Sequence, residues 1–281
     1  MSVLVELLRE NYASTTVIGI GKETIDSLRG IIECESSHPE ERRLDFFLID
    51  DDGIIEKYDD LAIIKLSDVA KIVSGTDVVF VIANIDDEES FHKAEKVARG
   101  VQSAGVFLSV CIAVCVDLKK DREERIVDSL TNLVDSFFIV RNDGKEYPRE
   151  LVCQIVHGIF SVYGWPNLVG LDLDYVKDVL GSGGRAYIGY SEGKAKKNSD
   201  YMQIAQEAIS TKDIVEYLPK ARGRLLNVTS SEDNMSVEGL NDVVMLLGKG
   251  TNSGVEYIWS GSIDKVTSNH ISVYVILTRT T

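Results

Sequence analysis

Residues 77–93 read D-V-V-F-V-I-A-N-I-D-D-E-E-S-F-H-K. Val78 to Ala83 is an unbroken apolar run, the pattern of a strand covered on both faces, and Phe91, Ala94, Val97 and Ala98 then recur at helical spacing. A strand end therefore feeds a helix start through a turn of four carboxylates, Asp86, Asp87, Glu88 and Glu89. In open α/β sheets ligands sit at such ends, because free N–H groups and the dipole at a helix N-terminus favour an anion. Here the chain supplies its own anions, and local sequence reads them most simply as helix-capping carboxylates.

The same alternation extends on both sides of this stretch. Val3 to Glu10 reads as a short amphipathic helix, and Thr15 to Ile20 as a strand leading through Gly21 into the helical pattern Ile25, Leu28, Ile31, Ile32. Leu44 to Ile49 is a second strand, ending in Asp50, Asp51 and Asp52; Asp60 to Val73 leads into a third at Val78. A helix from Ser90 to Val101, a strand from Val106 to Val116, a charged helix from Asp121 to Leu133 and a strand from Ser136 to Val140 follow. This strand–helix order implies an α/β fold with a Rossmann-like, mostly parallel sheet covered on both faces. Pro148 stands where the next helix begins, and Leu151, Val152, Ile155, Val156, Ile159 and Phe160 carry it to Tyr163, half-buried on both faces as a connecting helix would be.

Beyond Gly164-Trp165-Pro166 the style changes. A loop to Asp172 and a helix from Leu173 to Leu180 precede strand Ala186 to Tyr190, helix Tyr201 to Ser210, strand Gly223 to Thr229, helix Val237 to Leu247, and strands Gly254 to Ile263 and His270 to Thr278. The expected organisation is a Rossmann-type domain at 1–148, a central helix at 149–164 and an α+β domain with a mixed sheet of about four strands at 165–281.

Composition narrows the function. The 281 residues carry a net charge of −15, with 31 acidic and 18 basic side chains in residues 1–165 against 14 and 12 in the rest. So acidic a first half argues against nucleic acid, whose binding depends on Lys and Arg neutralising phosphates. No apolar run reaches membrane-spanning length and the start lacks a signal-peptide pattern, so a cytoplasmic protein without direct membrane contact is expected. Cys34, Cys111, Cys115 and Cys153 form no C-x-x-C pair, Cys111 and Cys115 share one face of an apolar strand, and the four histidines are scattered. Buried free thiols are expected and no metal site is. Gly19-x-Gly21-x-x-Thr24 mimics part of a dinucleotide fingerprint but lacks its third glycine.

Nearly the whole chain resembles the FtsZ/tubulin superfamily, and FtsZ more than tubulin. Ala221-Arg222-Gly223-Arg224-Leu225-Leu226-Asn227-Val228-Thr229 is similar to the family's A-R-G-V-L-L-N-I-T strand. Gly158-Ile159 through Pro166 to Leu171-Asp172 and Val176-Lys177 follows the stretch in which a central helix leads to a G-L-I-N-L-D-F-A-D-V-K loop. Val17-Ile18-Gly19-Ile20-Gly21, Asp77 to Ala83 and Val134-Asp135 to Asn142-Asp143 match the first half. The resemblance implies a domain that binds GTP with magnesium, head-to-tail polymerisation into filaments, and a loop after the central helix that completes the neighbour's site for hydrolysis. It marks Gly19, Gly21, Asp52, Asn84, Asn142 and Glu150 as remnants of the nucleotide site, with Glu150 where the family has Asp.

Against the family's G-G-G-T-G-T-G phosphate loop, however, this chain has Asp86 to Glu89 followed by Ser90-Phe91-His92. In the hydrolysis loop Asp172 remains, Gly170 replaces Asn and Tyr175 replaces the second Asp, leaving Asp174 one residue out of place. Two expectations follow. One is a non-hydrolysing FtsZ-like cytoskeletal or division protein, without a required cofactor, that associates with itself or with an active FtsZ. The other is a divergent GTPase holding magnesium on Asp50 to Asp52 and Asp86 to Glu89. The chain stops soon after its last strand, so a tail that recruits membrane adaptors is not expected.

Overall fold

The computed structural model describes residues 13–36, 44–50, 61–116, 119–141, 148–181, 184–248, 254–264 and 270–278. The expected helix from Val3 to Glu10 and the acidic residues Asp51 and Asp52 lie outside them. In the first half, strands β1 (Thr15–Ile20), β2 (Leu44–Ile49), β3 (Ala62–Ile64), β4 (Val78–Asn84), β5 (Leu108–Cys115) and β6 (Ser136–Arg141) alternate with helices α1 (Ile25–Ser36), α2 (Val69–Ile72), α3 (Glu88–Ser103) and α4 (Lys120–Thr131). Their order across the sheet is β3-β2-β1-β4-β5-β6, and every adjacent pair is parallel. That is the doubly wound order, whose reversal point lies between β1 and β4.

Period-two alternation explains how each strand serves two cores. Val78, Phe80 and Ile82 of β4 face one side with Leu28 and Ile31 of α1, while Val79, Val81 and Ala83 face the other with Phe91, Ala94 and Val97 of α3. Cys111 and Cys115 share the second face, fully buried, and burial pushes the Cys111 thiol up to about 12, so it acts as a small apolar group.

Helix α5 (Arg149–Gly164) follows β6 and is buried from Ile155 to its end. The second half adds β7 (Asn167–Val169), α6 (Leu173–Leu180), β8 (Arg185–Lys194), α7 (Asn198–Ile209), α8 (Lys212–Tyr217), β9 (Gly223–Ser230), α9 (Val237–Gly248), β10 (Glu256–Ile263) and β11 (His270–Thr278). Parallel and antiparallel pairs mix here, in the order β8-β11-β9-β10-β7. A short parallel pairing of Phe137 and Phe138 with Arg185 and Ala186 joins β6 to β8, so one sheet of 11 strands runs through both halves. The apolar cluster on the α1 side is shared as well, running from Val17 and Leu28 through Ile155 and Phe160 to Leu225 and Ile276.

Two polar devices fix α5 in place. Asn227 of β9 donates to Ser161 Oγ at 2.6 Å and accepts from Ser262 Oγ of β10 at 2.9 Å, all three being buried. Toward α1, His157 Nε2 lies 3.4 Å from Oε1 of the fully buried Glu35. Burial opposes charge on this imidazole, but the neighbouring Cys34 and Glu35 side chains outweigh it and raise its pKa to about 10. No helix among the described residues is long and apolar enough to cross a membrane.

Candidate functional site

At the reversal point, two turns emerge side by side from the C-terminal ends of β1 and β4. The first is closed on itself. Gly21 has φ 78°, in the left-handed region that favours glycine. Its N–H donates to Ile49 O at 3.1 Å, and its carbonyl accepts both the Thr24 N–H, at 3.2 Å, and Thr24 Oγ1, at 2.9 Å. Thr24 is thereby folded over Gly19, where a Cβ would come within 2.4 Å of Thr24 Oγ1 and 2.7 Å of Leu28 Cδ1. The space over the glycine is filled by the chain's own side chain, and the Gly21 and Thr24 amides are committed to protein acceptors.

The second turn commits its carboxylates one by one. Asn84 Oδ1 accepts the Asp86 N–H at 2.8 Å, and Asp86 Oδ1 accepts the Val116 N–H at 2.6 Å, tying the turn to the end of β5. Asp87 caps α3, accepting the Ser90 N–H at 2.7 Å and the Ser90 hydroxyl at 3.0 Å. The Ser90 amide is the main reason its carboxyl sits below the usual range. Glu88, in the first turn of α3, is bonded by Arg125 and lies 3.9 Å from Arg122 Nε; Glu89 pairs with Lys93 at 3.0 Å. Arg122 also donates to the carbonyls of Ile85, at 2.6 Å, and Asp86. Helix α4 thus clamps the acidic turn from the side: two carboxylates hold amides and two hold cations.

The opposite end of the sheet carries the other candidate group. Helix α5, 16 residues or about 24 Å long, runs back to where Tyr163 Oη lies 3.2 Å from Thr15 Oγ1 at the start of β1. There a cleft of about 360 Å³ is lined by Ala13, Trp165, Gly170, Leu171 and Asp172. Asp172 is exposed at the N-cap position of α6, and its carbonyl accepts the Tyr175 N–H at 3.1 Å. Tyr175 is 54% exposed, and neither the Asp172 nor the Asp174 side chain has a hydrogen bond or ion pair among the described residues.

Comparison with known proteins gives this geometry its relatives. The FtsZ family C-terminal domain matches residues 184–281. Cell division protein FtsZ 1 of Archaeoglobus fulgidus is 23% identical over 228 residues, covering 75% of this chain and 61% of that protein. An empty FtsZ dimer structure from M. jannaschii superposes with a TM-score of 0.76 at 19% identity, covering 98% of this chain and 91% of that one. The chain has the FtsZ/tubulin fold, and its residues 184–281 match the FtsZ C-terminal domain. CetZ2 from Haloferax volcanii, solved as a GTPγS-bound protofilament, shares the fold with a TM-score of 0.67 at 14% identity, covering 95% of this chain and 93% of that one. The chain spans about three-fifths of the length of the curated FtsZ relatives it matches.

Within this FtsZ/tubulin fold, Gly19, Gly21, Asn84 and Asp86 to Glu89 meet at the C-terminal ends of the neighbouring strands β1 and β4. Glu150 is exposed on the first turn of α5, next to Arg149, which reaches across to Glu33 of α1. Asp52 and Asn142 lie outside the described residues. Asp172, Gly170 and Tyr175 sit at the far end, so one chain does not bring the two groups together. Sequence reasoning missed Arg122 and Arg125, whose three-residue spacing in D-R-E-E-R puts both on one face of α4.

Proposed function

We propose that this chain is a non-hydrolysing member of the FtsZ-like cytoskeletal family that assembles head to tail, with itself or with an active FtsZ, in a process such as cell division. In this reading residues 1–148 form the head, 165–281 the tail, and helix 149–164 joins them. The observation that carries it is the commitment of the acidic turn. Its carboxylates stand where phosphate oxygens would, and the amides of Asp86, Ser90 and Val116 are already spent on Asn84, Asp87 and Asp86. This donor set does not fit a nucleoside triphosphate held by a ring of free amides, and Asp86 to Glu89 take the place of the anion at the helix N-terminus. The turn then holds permanently the conformation that a bound phosphate would otherwise select.

The arrangement at the tail supports the same view. Orienting an attacking water needs two placed carboxylates, and Tyr175 occupies the position of one of them. The alternative, a GTPase with magnesium held by Asp50 to Asp52 and Asp86 to Glu89, would need Asp86 and Asp87 to give up the Val116 and Ser90 groups they hold.

Sedimentation of nucleotide-stripped protein in EDTA, alone and mixed with the host's active FtsZ, tests the proposal. Pelleting or co-pelleting that is unchanged by GTP, with no phosphate release by this chain at any concentration, is the expected result. Assembly that requires GTP, or phosphate release that rises with its concentration, would overturn it.

A further inference from the structure

We infer that the cleft between α4 and the corner formed by β8 and α8 is a docking site for a basic peptide segment of a partner protein, an arginine- or lysine-bearing stretch. This cleft, of about 510 Å³, lies within the range that takes a few side chains of a ligand. Its floor is apolar and aromatic. Val127 lines it beside the rings of Tyr187 and Tyr217, which stack with centroids 3.9 Å apart and planes 14° apart. Both outer faces of this stack already carry cations: the Arg185 guanidinium lies 5.0 Å from the Tyr187 ring, and Lys220 Nζ lies 5.1 Å from the Tyr217 ring. Lys220 is exposed, so a partner's guanidinium, flatter and more weakly hydrated than an ammonium, can replace it over Tyr217.

The wall contributed by α4 sets the sign of the guest. Glu123 is fully engaged, paired with Arg141 at 3.1 Å and with Arg185. Glu124 and Asp128, one turn apart, are not. Glu124 has only Lys120 at 3.8 Å, with side chains 65% and 87% exposed, a pairing of little value in water. Asp128 has no side-chain partner among the described residues. Asp128, without a side-chain partner among the described residues, and Glu124, held only by that exposed lysine, stand above an aromatic floor and select a cation carried on an apolar or aromatic segment, and a nucleic acid or an anionic membrane would be repelled by the chain's charge of −15. Helix α4 also carries Arg122 and Arg125, so an occupant of the cleft rests on the same helix that clamps the acidic turn.

The test is fluorescence polarisation with a labelled, end-capped Gly-Arg-Leu-Arg-Tyr-Arg-Gly peptide, at a salt concentration of about 0.15 M, where the screening length is about 8 Å. Saturable binding by the full chain is expected, with no binding of the matching glutamate peptide. Glu124→Lys with Asp128→Lys should weaken it by at least about tenfold, and Tyr217→Ala by a comparable factor. A charge-matched control, Glu232→Lys with Asp233→Lys on the exposed turn after β9, should leave it within about twofold. All variants are checked for unchanged thermal unfolding, and a Tyr217→Leu variant, which keeps the bulk and removes the ring, stands in if Tyr217→Ala unfolds. Absence of saturable binding, or equal weakening by the control pair, would overturn the proposal.

Discussion

Replacing His157 with alanine is expected to destabilise the fold by about 3–5 kcal/mol, because it strands Glu35 as a buried, uncompensated charge between α1 and α5. Neither Glu35 carboxylate oxygen has a hydrogen bond among the described residues, where the ion pair is what offsets its loss of water. Urea unfolding at pH 7 measures the loss. Changing both residues together, Glu35→Gln with His157→Gln, should restore much of it, since two neutral amides strand no charge. The same pair gives a pH signature. The folded-state pKa of His157 is raised to about 10, so its contribution is complete below the ordinary imidazole value and is lost as pH rises from about 6.5 to 10. The slope in that window is on the order of 1.4 kcal/mol per pH unit for this one group. It should be absent from His157→Ala.

The second large effect is expected at Arg122. Its guanidinium spans the carbonyls of Ile85 and Asp86 and neighbours Glu88, and its side chain is only 22% exposed. Arg122→Ala removes two charge-assisted hydrogen bonds from the turn and should cost about 1.5–3 kcal/mol. For a chain of this length that corresponds to a melting temperature lower by roughly 3–10 °C. Arg122→Lys should recover only part of the loss, because a point charge on a flexible stem cannot fork across both carbonyls. Amide hydrogen exchange separates this from a general loss of stability. The amides of Asp86 and Ser90 should exchange faster in Arg122→Ala under native conditions, while those in the middle of β4 keep their protection. Equal loosening of turn and strand would show that Arg122 serves the fold as a whole rather than the turn.

How much of this was legible depended on the length of the pattern. Strands such as Val78–Asn84 and helices such as Leu173–Leu180 announce themselves through long apolar runs or sustained 3.6-residue recurrence. Pieces of three to six residues carry no period, which is why β3 and α2 inside the stretch Asp60 to Val73, β7 inside the expected loop before Asp172, and α8 after Ser210 emerge only in three dimensions. Helix α3 starts at Glu88 rather than Ser90, because Asp87 supplies the cap and draws both glutamates into the first turn. Strand β8 continues past Tyr190 through the polar residues Ser191 to Lys194, because β11 pairs with it along its whole length.

The candidate site divides in the same way. Four consecutive carboxylates between a strand and a helix are plain in the sequence, and so is a capping role for them. What each carboxylate holds is not, since Arg122 and Arg125 lie more than 30 residues away and meet the turn only because α4 presents that face to α3. The His157 and Glu35 pair was hidden for a related reason: two titratable residues over 100 positions apart become partners only when α1 and α5 pack.

These commitments converge on the nucleotide. A carboxylate about 4 Å from a phosphate charge costs about 4 kcal/mol at an effective dielectric of about 20, which is roughly a thousandfold in affinity for one such contact. Titration of GTP with magnesium into the nucleotide-stripped protein by calorimetry is therefore the most direct test of the claim that the acidic turn has taken the place of the phosphate. The account predicts no saturable binding up to about 1 mM GTP, and a dissociation constant in the micromolar range would contradict it.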